Sequence, residues 1–213
     1  MVTTTRATNP TNTLLLFGPQ ALSFSTATFA DIHARVVQTS ENAWIKQTIT
    51  SLPGLWDALV KEFPQYGALE GKQLLRDLDR WFETGTMEHA EPHLPNILLS
   101  PMVVITQLTE YVDYLKTMPH AADQQTETVG FCTGLLTALA ASLASDIKGI
   151  RQYGAIAIKL AMIIGAVVDV QDITSPNGPS KSLAVAWDSA ETQDRLNQII
   201  DQSPEVSGHS KTQ

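Results

Sequence analysis

Thr128-Val-Gly-Phe-Cys-Thr-Gly-Leu-Leu136 holds the one cysteine of the chain, set between two glycines where a short apolar run gives way to an alanine-rich one. Strand, Gly-X-nucleophile-X-Gly, helix is the pattern of a nucleophile elbow. The turn is so tight that residues two before and two after the nucleophile crowd the backbone, and glycine removes the crowding. Gly130 and Gly134 occupy those positions around Cys132. The pattern puts the thiol at a helix N-terminus, where N–H groups and the helix dipole favour an anion and hence the thiolate. The N–H of the next residue, Thr133, then faces the oxyanion formed when an acyl carbonyl is attacked. The simpler reading is a buried cysteine at a strand end, with glycines present only for close packing. The helical run that follows (Leu135, Leu136, Ala138, Leu139, Leu143) favours the elbow.

Working outward, the 213 residues are 43% hydrophobic and 17% charged, which suits one globular domain with a sizeable core and little general disorder. The net charge of −8 and the scatter of the 14 Lys and Arg oppose a nucleic-acid partner, because phosphate binding needs a clustered basic surface. A lone cysteine excludes an internal disulfide framework and a Cys-rich zinc site. Leu14–Phe17 is too short for a signal-peptide core. The long apolar run Tyr153–Val170 carries Lys159, whose insertion into a bilayer would cost roughly 2.5–3.5 kcal/mol. A buried core helix is therefore expected, with no membrane partner and a cytoplasmic location.

Residues 1–13 read as a disordered leader, 14–202 as one domain and 203–213 as a frayed tail. Leu14–Phe17 predicts a short buried strand closed by Gly18-Pro19. Helical spacing runs over Asp31–Thr50, breaks at Leu52-Pro-Gly54, and resumes over Leu55–Phe63 and Leu69–Phe82. Ser100 and Pro101 read as N-cap and first turn of a helix over Met102–Leu115. Arg151–Asp169 predicts the long apolar helix, Leu183–Ala186 a strand, and Asp188-Ser189 the cap of a last helix to Ile200. Many helices with a few short apolar strands predict an α/β fold with a parallel sheet.

Other chemistry-bearing residues read more simply. Glu88-His-Ala-Glu-Pro-His93 is a solvated loop, because Pro92 breaks any helix that would align its two histidines on a metal. His33 reads as a partly exposed surface group and His120 as part of a polar linker. Asp57, Asp77 and Asp79 read as solvated helix faces, and Trp44, Trp56 and Trp81 as core. Lys148 and Arg151 are cations beyond the elbow helix that carry no more weight than exposed cations elsewhere. No metal site and no bound cofactor is expected.

Gly-Phe-Cys-Thr-Gly134, Leu14-Leu-Leu-Phe-Gly-Pro-Gln20, Leu94-Pro-Asn-Ile-Leu-Leu-Ser-Pro101 and Trp187 before the last helix occur in that order in the chain. Together they resemble the starter-unit acyl-carrier-protein transacylase domain of fungal non-reducing polyketide synthases, from about Leu14 to Pro204. The resemblance implies a helix-rich, malonyl-transacylase-like (α/β-hydrolase-type) core. It implies passage of an acyl group from acyl-coenzyme A to Cys132, and then to the phosphopantetheine thiol of an acyl carrier protein. Gln20, on its residues alone an ordinary turn residue, would lie in the oxyanion hole beside the Thr133 N–H. On a hand alignment Ile164 stands where malonyl transacylases place a carboxylate-binding arginine. An apolar side chain cannot pair with a carboxylate, so a simple acyl chain such as acetyl or hexanoyl is expected in an acyl pocket at Ile164.

The chain departs from that pattern in one respect. The family's catalytic histidine lies far downstream of the cysteine, beyond a small inserted ferredoxin-like subdomain, and His209 does not stand in a matching motif. The sequence accordingly reads as the front part of the domain, either a truncated homologue, a shortened gene product or a fragment of a larger synthase. The alternative to an active transacylase is an inactive homologue that binds acyl groups or a carrier protein. A cysteine hydrolase with the same elbow is the third.

Overall fold

The computed structural model describes residues 13–19, 26–38, 42–87, 94–117, 126–175 and 189–202. The predicted leader before Thr13, the Glu88–His93 loop, His120, the predicted strand at Leu183–Ala186, Trp187, Gln20 and the tail with His209 lie outside the described residues. The chain divides into two compact units, Met1–Gly178 and Pro179–Gln213.

In the first unit, strand β1 (Thr13–Phe17) is followed by helices α1 (Thr26–Gln38), α2 (Ala43–Glu62), a 3-10 turn (Pro64–Ala68), α3 (Gly71–Thr84) and α4 (Asn96–Thr117). Strand β2 (Thr126–Gly130), α5 (Gly134–Leu143) and α6 (Ile147–Thr174) complete it. The two strands pair in parallel, Thr13 against Thr126 and Phe17 against Gly130, so both end at the same edge. This is a helix-rich α/β arrangement with a short two-stranded parallel sheet.

The main core lies among α1, α2, α3, α4 and α6, with Ile49, Leu52, Leu78, Trp81, Ile105 and Met162 fully enclosed. A second, smaller cluster of Phe17, Ala138 and Ala141 joins β1 to α5. Trp56 and Trp81 are buried and Trp44 packs against the core, as their spacing predicts.

Several helix boundaries differ from the sequence expectation, and for α2 and α4 the reason is tertiary. The helix predicted over Asp31–Thr50 is two helices, α1 ending at Gln38 and α2 beginning at Ala43. Helix α2 then runs through Pro53 without a break. A proline inside a helix costs about 3 kcal/mol, but Ile49, Leu52 and Trp56 on either side are buried, and each such side chain contributes about 1.5–3 kcal/mol. Helix α4 starts at Asn96, a turn before Ser100, and Pro101 lies inside it. Its first N–H groups are taken by a remote carboxylate: Asp169 on α6 accepts from the Asn96 and Ile97 N–H groups at 2.9 and 2.8 Å. A cap supplied from 72 residues away leaves no local signature.

Helix α6 is longer than Arg151–Asp169 at both ends and is capped by Asp146, which accepts from the Gly149 N–H at 2.7 Å. By length and composition it is apolar enough to cross a membrane. Here it packs against α2, α4 and α5, with Ile150, Ile158, Ala161 and Met162 buried, as expected of a core helix. At Gly165 it passes so close to α4 that a Cβ would collide with the Asn96 carbonyl.

Asp77 is also more enclosed than expected, whereas His33 is partly exposed as its helix position suggests. Asp77, read as solvated, is buried and accepts from Gln73 at 3.1 Å. His33 is half-buried, its Nε2 at 2.9 Å from the Phe82 carbonyl and its ring edge-on to Trp81. The second unit contributes helix α7 (Ala190–Gln202), capped as predicted by Ser189, whose Oγ accepts from the Thr192 N–H at 3.2 Å.

Candidate functional site

The sheet edge where β1 and β2 end is built around the cysteine turn. The ladder continues one residue past β2, with the Phe131 N–H donating to the Phe17 carbonyl at 3.0 Å. Cys132 follows with φ of 53°, the only non-glycine among the described residues in the left-handed region. That conformation costs an L-residue roughly 1–2 kcal/mol and persists only where surrounding structure imposes it. Thr133 is already helical, and α5 starts at Gly134. The Gly134 and Leu135 N–H groups close the turn onto the Phe131 and Cys132 carbonyls at 2.9 and 3.0 Å.

The two glycines are where the backbones touch. A Cβ at Gly130 would stand 2.5 Å from the Gly134 oxygen and the Leu135 Cα. One at Gly134 would collide with the carbonyls of Phe17 and Gly18. The turn, the first turn of α5 and the end of β1 are therefore one packed unit. Cys132 is a free, exposed thiol at its crest, and its sulfur lies 3.8 Å from the Thr133 hydroxyl.

The loop after β1 is tied to the same unit by residues that carried no signal in the sequence. Gln107, on α4, donates from Nε2 to the Gly18 carbonyl at 2.9 Å. Its Oε1 accepts from the Thr137 hydroxyl of α5 at 2.7 Å. Thr128 of β2 donates to the Ala138 carbonyl at 3.3 Å, fixing strand to helix below the turn. Only the three-dimensional meeting of α4, β1 and α5 shows these roles. A glutamine and two threonines inside helix- and strand-like runs look ordinary.

Beside the β1 loop opens a cavity of about 520 Å³ lined by Leu15, Phe17, Gly18, Ile32, Tyr111 and Tyr114 among others. Burial, with Tyr114 alongside, pushes the Tyr111 phenol above its ordinary value. Ile164 stands elsewhere, on an open stripe of α6 with Ile156, Leu160 and Val168, and is 49% exposed. Lys148 and Arg151 line a separate groove of about 590 Å³ between α2 and α6, together with Lys159 and Trp44 and, among the described residues, with no carboxylate in its wall. Among the described residues, no cluster of three His, Cys, Asp or Glu side chains is placed to hold a metal.

Comparison with known proteins gives this geometry a lineage. Residues 15–211 match the family described as starter unit:ACP transacylase in aflatoxin biosynthesis. The chain is 99% identical over 206 residues to a non-reducing polyketide synthase, azaA, of Aspergillus niger, covering 97% of this chain and 8% of that protein. It is 43% identical over 204 residues to the non-reducing polyketide synthase pigA of Monascus ruber, covering 92% of this chain and 8% of that protein. Over 217 residues it is 36% identical to the citrinin polyketide synthase of the same fungus, covering 97% of this chain and 8% of that protein. The chain thus spans about 8% of the length of the curated relatives it matches. With a family match over nearly its whole length and relatives of 36–99% identity that cover it, the chain belongs to the starter-unit acyl-carrier-protein transacylase family.

Proposed function

We propose that this chain belongs to the starter-loading transacylase of a fungal non-reducing polyketide synthase, working in the cytoplasm through a thioester on Cys132. The observation that carries the reading is the left-handed Cys132 at the strand-to-helix turn, with backbone contacts that admit only glycine on both sides. In this reading the strands and the helices after them belong to a malonyl-transacylase-like core.

The Cys132 sulfur, as thiolate, attacks the thioester carbonyl of an acyl-coenzyme A. The new C–S bond forms and the carbonyl electron pair moves onto oxygen. The Thr133 N–H and Gln20 are the proposed donors to that oxyanion, at a helix N-terminus whose dipole favours negative charge. The intermediate collapses by breaking the bond to coenzyme A, whose thiolate leaves and takes up a proton. In the second half the phosphopantetheine thiol of a carrier protein gives up its proton, attacks the acyl-cysteine and releases the Cys132 thiolate. The resemblance, which sets Ile164 where a carboxylate-binding arginine would stand, makes a simple acyl group such as acetyl or hexanoyl the proposed cargo. Ile164 itself lies on an open stripe of α6 and not in the cavity beside the β1 loop. The basic groove of Lys148, Arg151 and Lys159 suits the acidic surface usual in carrier proteins.

Among the described residues, the polar neighbour of the sulfur is the Thr133 hydroxyl, which is no general base. General acid–base help is worth about 10²–10⁴-fold in such a reaction, so the loading rate of this chain reads out whether a base reaches the thiol. Intact-protein mass spectrometry after incubation with a panel of acyl-coenzyme A thioesters tests the proposal. The expected result is one acyl mass on the protein, absent in Cys132→Ala. A folded sample that takes up no acyl group from any thioester would move the function to an inactive binding module. Release of the acyl group to water would indicate a hydrolase.

A further inference from the structure

We infer that Gln107 is a positioning residue for acyl transfer, holding Gly18 at the end of β1 against the start of α5; the inference rests on the transacylase reading above. Gln107 sits on α4 between Val104, Ile105 and Leu108, all fully buried, where an apolar side chain would pack well. Instead its amide has both ends engaged, and the two partners belong to the two sides of the site. The Gly18 carbonyl accepts from Nε2 at 2.9 Å, and the Thr137 hydroxyl donates to Oε1 at 2.7 Å.

The orientation of the amide is set by this pair. Turning it over would point Oε1 at the Gly18 carbonyl, acceptor against acceptor. Thr137 is itself fully buried on the first turn of α5, the helix that Cys132 leads into. Gly18 meanwhile rests on Gly134, where no Cβ can be accommodated. Gln107 thereby fixes the path of the chain as it leaves β1 toward Pro19 and the proposed oxyanion donor. Electrostatic help to an oxyanion depends on donors held within a fraction of an ångström, and a displacement of about 1 Å costs on the order of 10²-fold in rate.

The role is tested by comparing two reactions of the same thiol. Acylation by an acyl-coenzyme A forms an oxyanion, whereas alkylation by iodoacetamide does not. Gln107→Glu keeps the size and the Thr137 bond but sets a carboxylate against the Gly18 carbonyl. It is expected to slow acylation by about 10–100-fold while the alkylation rate stays as in the parent chain. Thr137→Val should slow acylation in the same selective way, and Thr137→Ser, which keeps the hydroxyl, should recover most of the loss. Equal acylation rates in the parent chain and Gln107→Glu, with the fold intact, overturn the role of Gln107 and leave the transacylase reading standing. If Gln107→Glu unfolds, equal acylation by Thr137→Val and Thr137→Ser overturns it in the same way. A parent chain that alkylates but takes up no acyl group overturns the transacylase reading, and this role with it.

Discussion

Cys132 adopts a backbone conformation that most side chains avoid, and the turn around it has no slack. Gly130 and Gly134 admit the two close approaches that hold it, one to the start of α5 and one to the end of β1. An alanine at either position must push backbone, not a flexible side-chain tip. Gly134→Ala is therefore expected to destabilise the chain by about 1–3 kcal/mol, the usual size of overpacking. For a chain of this length that lowers Tm by roughly 2–4 °C per kcal/mol, readable by calorimetry or circular dichroism. The acyl adduct should vanish in the same variant, because the displaced turn re-aims the thiol. A Gly134→Ala chain with parent-like melting and loading would show that the contact is loose.

At the scale of elements, the joint between α4 and α6 is set by one carboxylate and one glycine. Asp169 accepts from two backbone N–H groups at the start of α4 and from the Asn96 side chain at 2.8 Å. Asp169→Ala leaves those donors without their acceptor. The expected cost is about 0.5–2 kcal/mol, with faster amide exchange at Asn96–Leu98 than in the rest of α4. Unchanged exchange there would mean the first turn of α4 holds without its remote cap. In the proposed reaction, the groove between α2 and α6 would meet the carrier protein in the second half. Reversing Lys148 and Arg151 to Glu is expected to slow transfer from Cys132 to a carrier protein, with an effect that shrinks as salt rises, while loading from acyl-coenzyme A is unaffected. Equal slowing of both halves would instead point to damage at the cysteine turn.

The molecule as a whole leaves unusual apolar surface open. Leu14 and Leu16 on β1 are 62% and 65% exposed, Leu135, Leu139 and Leu143 form a stripe on α5, and Ile156 to Val168 form another on α6. Parallel sheets are ordinarily covered on both faces, and the two strands among the described residues are fewer than a stable sheet needs on its own. Contiguous apolar patches of this kind mark surfaces that pack against other polypeptide. The isolated chain is expected to bind a hydrophobic dye such as ANS and to associate as its concentration rises, as sedimentation would show. A monomeric sample that melts cooperatively and binds no dye would overturn this.

The strand-to-helix turn around Cys132 could be read from residues alone because its geometry is local. A strand end, two glycines two positions either side of a nucleophile, and a helix-forming run all fall within Thr128–Leu136. The core tryptophans, the Ser189 cap and the packed rather than spanning character of α6 were legible for the same reason: short-range spacing and side-chain type decide them. What the tertiary structure decided was everything that depends on partners distant in the chain. Pro53 is carried inside α2 by buried neighbours on both sides, and α4 begins at Asn96 because Asp169 reaches it from another helix. Asp77 is enclosed by packing that its own helix face does not announce. Gln107 meets Gly18 and Thr137 only because α4 crosses both the end of β1 and the start of α5. Local propensity records the conformation a segment prefers, whereas these outcomes turn on which segment arrives beside it.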